Sequence, residues 1–185
     1  MILNVHSDAS YLKASRSRSR AGGYFYLGSL PKNGKPIKLN GNMTITSAIL
    51  KLVAASAAEA ELGALFLNAQ EARILLLTLD KMGHPQPPTP VHVDNSTCPD
   101  VVNNTNKRQK SRAMKMRYFW LLDQQMQKYF KFQYHPGQEN LGDYLPKQGT
   151  YRVCTPAYPT LVYPIEELPH RTSKSTQAKL TARVC

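Results

Sequence analysis

The sequence predicts an α/β fold, a mixed five-stranded sheet with helices packed on it. Three observations lead there. Near the N-terminus, apolar or aromatic segments alternate with short polar turns, which suits an antiparallel meander. Two later apolar segments are each preceded by a helical pattern, which suits parallel additions. Between the two groups lies one long, well-capped helical stretch.

The elements follow in order. Ile2–Ser7 alternates apolar and polar residues and reads as a strand ending at Asp8. Residues 11–20 are Ser/Arg-rich and read as a loop. Gly22–Leu30, rich in aromatics, is the second strand, and Lys32-Asn33-Gly34-Lys35 is a turn signal. The third strand lies within Pro36–Val53, with Thr44–Thr46 and Ile49–Val53 as candidates. Ser56–Met82 is the strongest helix. Ser56 and Glu59 form a capping box, and Leu62, Leu65, Phe66, Ala69, Ala72, Leu76 and Leu79 recur at helical spacing. Gly83 stops it, and four prolines up to Pro90 make a stiff connection to a fourth strand, Val91–Val93, ending at Asp94. A helix to about Asn103 is compatible with Pro99 only if that residue sits in its first turn. Ala113–Lys128 reads as a helix with Met116, Phe119, Trp120 and Leu122 or Met126 as buried candidates. Tyr129–Tyr134 is the fifth strand and Glu139–Leu145 a short helix. The stretch from Pro146 changes character. We assign residues 1–148 to one domain and 149–185 to a Pro/Ser/Thr-rich extension expected to be poorly ordered.

Charge narrows the partners. The 185 residues carry 24 Lys+Arg against 12 Asp+Glu, a net of +12. Such an excess favours polyanions, nucleic acid before an acidic membrane surface. Residues 1–53 hold 8 basic and 1 acidic side chain, residues 54–104 hold 2 and 6, and residues 105–131 hold 8 and 1. An acidic centre flanked by basic segments suits a nuclease with a metal site inside a phosphate-binding surface; solubility charge alone would be served equally well by mixed signs. Cys98, Cys154 and Cys185 are odd in number and scattered, which excludes a zinc ribbon and a disulfide framework and suits a reducing compartment. The longest apolar runs, such as Ile74–Leu77, are too short to span a bilayer, and no signal peptide pattern opens the chain, so neither membrane insertion nor secretion is expected.

Four carboxylates stand out for position. Asp8 and Asp94 end strands, Glu61 lies in the first turns of the long helix, and Asp143 follows the fifth strand. Parallel strands bring their carboxyl ends to one edge, where Asp8 and Asp94 would meet, with Glu61 supplied from a crossing helix. Such a cluster is costly unless divalent cations neutralise it, and carboxylate oxygens suit Mg²⁺ or Mn²⁺.

These residues reach a known pattern. Ser7-Asp8-Ala9-Ser10-Tyr11, Ser17–Tyr24, Ser56-Ala57-Ala58-Glu59-Ala60-Glu61-Leu62-Gly63, Val93-Asp94-Asn95-Ser96-Thr97 and Asn140-Leu141-Gly142-Asp143-Tyr144 appear in order. In these motifs the chain resembles the ribonuclease H domain of copia-type retrotransposon polyproteins, from about residue 2 to 148. The resemblance implies a ribonuclease H-like sheet and hydrolysis of the RNA strand of RNA–DNA hybrids. It implies two Mg²⁺ ions, with Mn²⁺ as a substitute, held by Asp8, Glu61, Asp94 and Asp143. It implies a reverse transcriptase domain as partner in the parent polyprotein, a monomeric isolated domain, and a cytoplasmic (virus-like particle) or nuclear setting. Glu61 is preferred to Glu59 because Glu59 is engaged in the capping box and residues two apart on a helix do not share a face. His135, in Tyr134-His135-Pro136-Gly137-Gln138, matches a loop histidine that aids proton transfer or product release; the alternative is an ordinary loop histidine. The remaining histidines read as structural or solvated, since no H-x₃-H or HExxH spacing exists.

Ser10, Arg16, Arg18, Arg20, Asn95, Ser96, Lys107, Arg108, Lys110 and Arg112 are the candidate nucleic-acid contacts, with solvated charge as the competing reading for any one lysine. Gly142 and Pro146 depart from the family's smoother helix around the last acid, which suits either a weakened, binding-only copy or a harmless change near a helix end. Two other nucleases of the same superfamily fit less well. A strand transferase wants a helical Glu about 35 residues after its second Asp, and Glu139 is too far along. A 3′–5′ exonuclease wants Asp-x-Glu on the first strand, where Asp8-Ala9-Ser10 stands.

Overall fold

The structure, a computed structural model, describes residues 1–28, 41–94, 112–137 and 140–145. It contains strands β1 (Ile2–Ala14), β2 (Arg18–Gly28), β3 (Thr44–Ile49), β4 (Thr89–Val93) and β5 (Phe130–Tyr134). Two long helices, α1 (Ala57–Lys81) and α2 (Arg112–Met126), and 3₁₀ turns at Ser15–Ser17 and Leu141–Tyr144 complete it. The five strands form one sheet in the order β3-β2-β1-β4-β5. The pairs β1–β2 and β2–β3 are antiparallel; β1–β4 and β4–β5 are parallel. This is the mixed sheet that the element order predicts.

Several strand boundaries differ from expectation, and β3 is Thr44–Ile49 rather than Ile49–Val53. β1 does not stop at Asp8 but continues to Ala14, and β2 begins at Arg18, so residues 11–20 are mostly ribbon rather than loop. Their side chains are polar because this end of the ribbon is half exposed, which hides the strand from an apolar-alternation test. The register shifts between Ser10 and Ala14, and Leu12, Arg16 and Ser17 take positive φ to turn the chain. β4 starts at Thr89, two residues early. Pro90 fits because β4 pairs there with β5 alone; its ladder with β1 begins at Val91.

α1 forms where the capping box places it. Ser56 Oγ accepts from the Glu59 amide at 3.2 Å, while the Glu59 carboxylate accepts from Ala55 N–H at 2.8 Å. Its inward residues Leu62, Leu65, Ala69, Ala72, Leu76 and Leu79 pack on Leu3, Val5, Phe25, Val91, Val93, Phe130 and Phe132. By length and composition alone α1 is apolar enough to cross a bilayer, contrary to the expectation from short apolar runs, because small and polar residues interrupt those runs without lowering the average much. Half of its most apolar stretch is instead buried within the fold. Leu65 is fully buried, and Leu65→Ala is expected to cost roughly 2–5 kcal/mol in denaturant unfolding.

α2 packs in a different phase from the expected one. Leu121 is fully buried and Trp120 meets Phe66 edge-on at 5.1 Å, but Met116, Phe119 and Met126 are exposed. Apolar residues lie all round this helix, so the sequence does not fix which stripe turns inward. The helix expected between Asp94 and about Asn103, all three cysteines and the extension 149–185 lie outside the described residues.

Candidate active site

The site forms where β1 and β4 part. Their ladder ends at Ser7↔Val93, so Asp8 and Asp94 are the next residues on adjacent strands. Asp8 is therefore not at a strand's end but in the middle of β1, opposite Gly22 of β2. The turn Leu141–Tyr144 brings Asp143 to the same place. One carboxylate oxygen from each of Asp8, Asp94 and Asp143 lies within 4.8 Å of the others; Asp8 is buried and the other two are half-buried.

Glu61 approaches from the first turns of α1, and the backbone N–H of Ala9 donates to its carboxylate. Burial, and then the charges of Asp8 and Asp94, push its pKa up to about 9, against the lowering effect of that hydrogen bond. Glu59 is held in the cap and takes no part. Among the described residues the carboxylates placed to share an ion are Asp8, Asp94 and Asp143, with Glu61 outside that group but electrostatically coupled to it, and such oxygen donors fit hard divalent cations.

Beneath the acids, the same face of the sheet carries His6 and His92 as register partners. Their rings stand 4.9 Å apart, and His135 lies 5.5 Å from His6 and 5.0 Å from His92. His6 Nδ1 accepts from Leu141 N–H at 3.1 Å, and its Nε2 lies 3.3 Å from the Tyr26 hydroxyl. Burial holds His6 well below the usual histidine range, and burial followed by His135 lowers His92 to about 4, so both rings are neutral at pH 7. His135 is half-buried rather than on a free loop; its N–H donates to Val93 O at 2.8 Å.

The nucleic-acid candidates divide. Ser10, buried, pairs with Arg20 across the β1–β2 ribbon, on the face that carries Asp8. Arg16 sits exposed in the 3₁₀ turn at the ribbon's tip and Arg18 opens β2 half-buried. Arg112 opens α2, whereas Asn95, Ser96, Lys107, Arg108 and Lys110 lie outside the described residues.

Sequence reasoning passed over Asn140 as a site residue. It is fully buried; its Nδ2 donates to Ser7 O at 3.0 Å and its Oδ1 accepts from Gly142 N–H at 2.9 Å. An Asn three residues before the last acid was a readable signal, since Asn favours the position just before a helical turn.

No protein-family model matches the chain, and no curated protein matches it. Solved structures do. The LC11 ribonuclease H1 in complex with an RNA/DNA hybrid superimposes with a TM-score of 0.54 at 14% identity, covering 77% of this chain and 92% of that one. A second structure of LC11 ribonuclease H1, isolated from compost by a metagenomic approach, gives 0.53 at 16% identity over 78% and 91%. The N-terminal ribonuclease H domain of Rv2228c from Mycobacterium tuberculosis, fused to maltose-binding protein, gives 0.52 at 12% identity over 84% and 97%. The chain thus has a ribonuclease H-like fold.

Proposed function

We propose that this chain hydrolyses the RNA strand of RNA–DNA hybrids, as the ribonuclease H part of a retrotransposon reverse transcriptase of copia type. The carrying observation is the meeting of Asp8, Asp94 and Asp143 within 4.8 Å on this fold, with Glu61 electrostatically coupled to all three. The motif resemblance supplies the retrotransposon context, with a reverse transcriptase domain as partner and a virus-like particle or nucleus as the setting.

Asp8, Glu61, Asp94 and Asp143 would hold two Mg²⁺ ions, or Mn²⁺ in their place. When bound, such ions activate a water for in-line attack on a phosphodiester and neutralise the leaving 3′ oxygen. Asp8, buried where Asp94 and Asp143 are half-buried and central on β1, would be a ligand common to both ions. Ser10, Arg16, Arg18 and Arg20 hold the hybrid along the β1–β2 ribbon, and Asn95, Ser96, Lys107, Arg108, Lys110 and Arg112 supply the other contacts. His135 would aid proton transfer or product release, the alternative being an ordinary loop histidine.

Phosphate contacts make binding salt-sensitive and sequence-tolerant. Arg18→Ala is expected to lower the slope of log affinity against log salt by about 1 without changing sequence preference. The function is tested with one labelled strand in each of three duplexes. RNA in the RNA–DNA hybrid should be cut internally, while RNA–RNA and DNA–DNA stay intact. Equal cutting of all three would overturn the assignment.

A further inference from the structure

We propose that Asn140 is a positioning residue that locks Asp143 against Asp8 and Asp94 and so sets how tightly the site takes up divalent cations. The inference rests on the metal-site reading above. Asp143 sits in a 3₁₀ turn of only four residues, which cannot fix a side chain by its own backbone pattern. Something must tie that turn to the two strands that carry the other aspartates.

Asn140 makes the tie in both directions. Its Nδ2 donates to Ser7 O, the carbonyl immediately before Asp8. Its Oδ1 accepts from Gly142 N–H, and its own carbonyl accepts from Asp143 N–H at 3.0 Å. Its N–H donates to Gly137 O at 3.1 Å, and Gly137 lies so close to Asp94 that an added Cβ would stand 3.3 Å from Asp94 Oδ2. The fully buried Asn140 side chain thus joins the backbone beside Asp8 to the turn bearing Asp143, while its backbone N–H holds the loop lying on Asp94. Leu141 N–H adds a second anchor on His6 Nδ1.

Gly142 belongs to the same device. A Cβ there would stand 3.0 Å from both His6 O and Asn140 Oδ1, so any side chain would oblige β1 or Asn140 to give by a few tenths of an ångström. Gly142, which in sequence suits either a weakened copy or a harmless change near a helix end, is packed closely against β1 in the structure. Groups that orient metal ligands commonly change metal affinity or activity about 10–100-fold when removed.

The test uses the full chain and Mn²⁺ itself. Mn²⁺ binding is followed by electron paramagnetic resonance, and cleavage of a hybrid as a function of Mg²⁺, for the unaltered protein, Asn140→Ala, Gly142→Ala and Asn4→Ala. Asn4 is also fully buried and, among the described residues, its side chain donates to Ile2 O, so its variant loses a buried hydrogen bond away from the turn. The expected result is Mn²⁺ binding about tenfold or more weaker in Asn140→Ala and Gly142→Ala, cleavage partly restored by raised Mg²⁺, and unaltered binding in Asn4→Ala. Circular dichroism identifies any variant that fails to fold, and Gly142→Ala, which keeps every side-chain partner, then carries the test. Unchanged Mn²⁺ affinity in folded Asn140→Ala or Gly142→Ala, or equal weakening in Asn4→Ala, overturns the positioning role alone. An unaltered protein that takes up no Mn²⁺ overturns the metal-site reading and the positioning role together.

Discussion

Asp8→Asn is expected to abolish RNA-strand cleavage, lowering the single-turnover rate by at least about 10³-fold. Charge stabilisation by a correctly held cation is worth several kcal/mol in the transition state, and each 1.36 kcal/mol is tenfold. Asp8 is only 3% exposed and shares the 4.8 Å cluster with Asp94 and Asp143. Asparagine keeps its volume, so the β1 ladders persist. Hybrid binding through the basic ribbon does not use this carboxylate and should retain its affinity and salt dependence. Cleavage within about tenfold of the unaltered protein would remove Asp8 from the machinery.

Glu61→Gln is expected to act with opposite signs on activity and stability. Cleavage should be lost with the carboxylate. Metal-free stability should rise, because Glu61 ionises at a cost in the folded protein, where burial and then Asp8 and Asp94 raise its pKa from 4.5 to about 9. In that window the folded state binds a proton that the unfolded chain has released. The resulting stabilisation is fully present below pH 4.5 and is lost as pH rises through about 9. Glutamine has no such dependence, so the Tm difference in chelator should grow in favour of Glu61→Gln from acid to alkaline pH. Mg²⁺ should then stabilise the unaltered protein more than the variant, by mass action on the folded state. A Tm difference that stays flat with pH would contradict this electrostatic account.

Much of this architecture is legible in the residues. The capping box at Ser56 and Glu59 sets the start of α1 and frees Glu61, and the alternation of apolar segments and helical spacing predicts the antiparallel meander with parallel additions, though not the full strand order. The acids are visible as a set because each follows a recognisable motif. Other features resist a sequence reading for physical reasons. Asp8 lies mid-strand because β1 outruns β4, and strand length beyond a ladder depends on what the ribbon meets, not on its own alternation. The phase of α2 is undetermined by a sequence that is apolar on every side. His6 gives no hint that it receives Leu141 N–H, since the contact spans 135 residues. Gly142 reads as a helix breaker in one dimension and as a close-approach glycine in three.

The central claim is that the acidic cluster hydrolyses RNA with divalent cations. The most direct measurement incubates the purified chain with an internally labelled RNA–DNA hybrid in Mg²⁺, beside Asp94→Asn and beside the unaltered protein in chelator. RNA fragments are expected from the unaltered protein in Mg²⁺ alone, with Asp94→Asn and the chelated sample leaving the strand whole. Salt-sensitive hybrid binding with an intact RNA strand in both Mg²⁺ and Mn²⁺, or cleavage that survives Asp94→Asn, would contradict it.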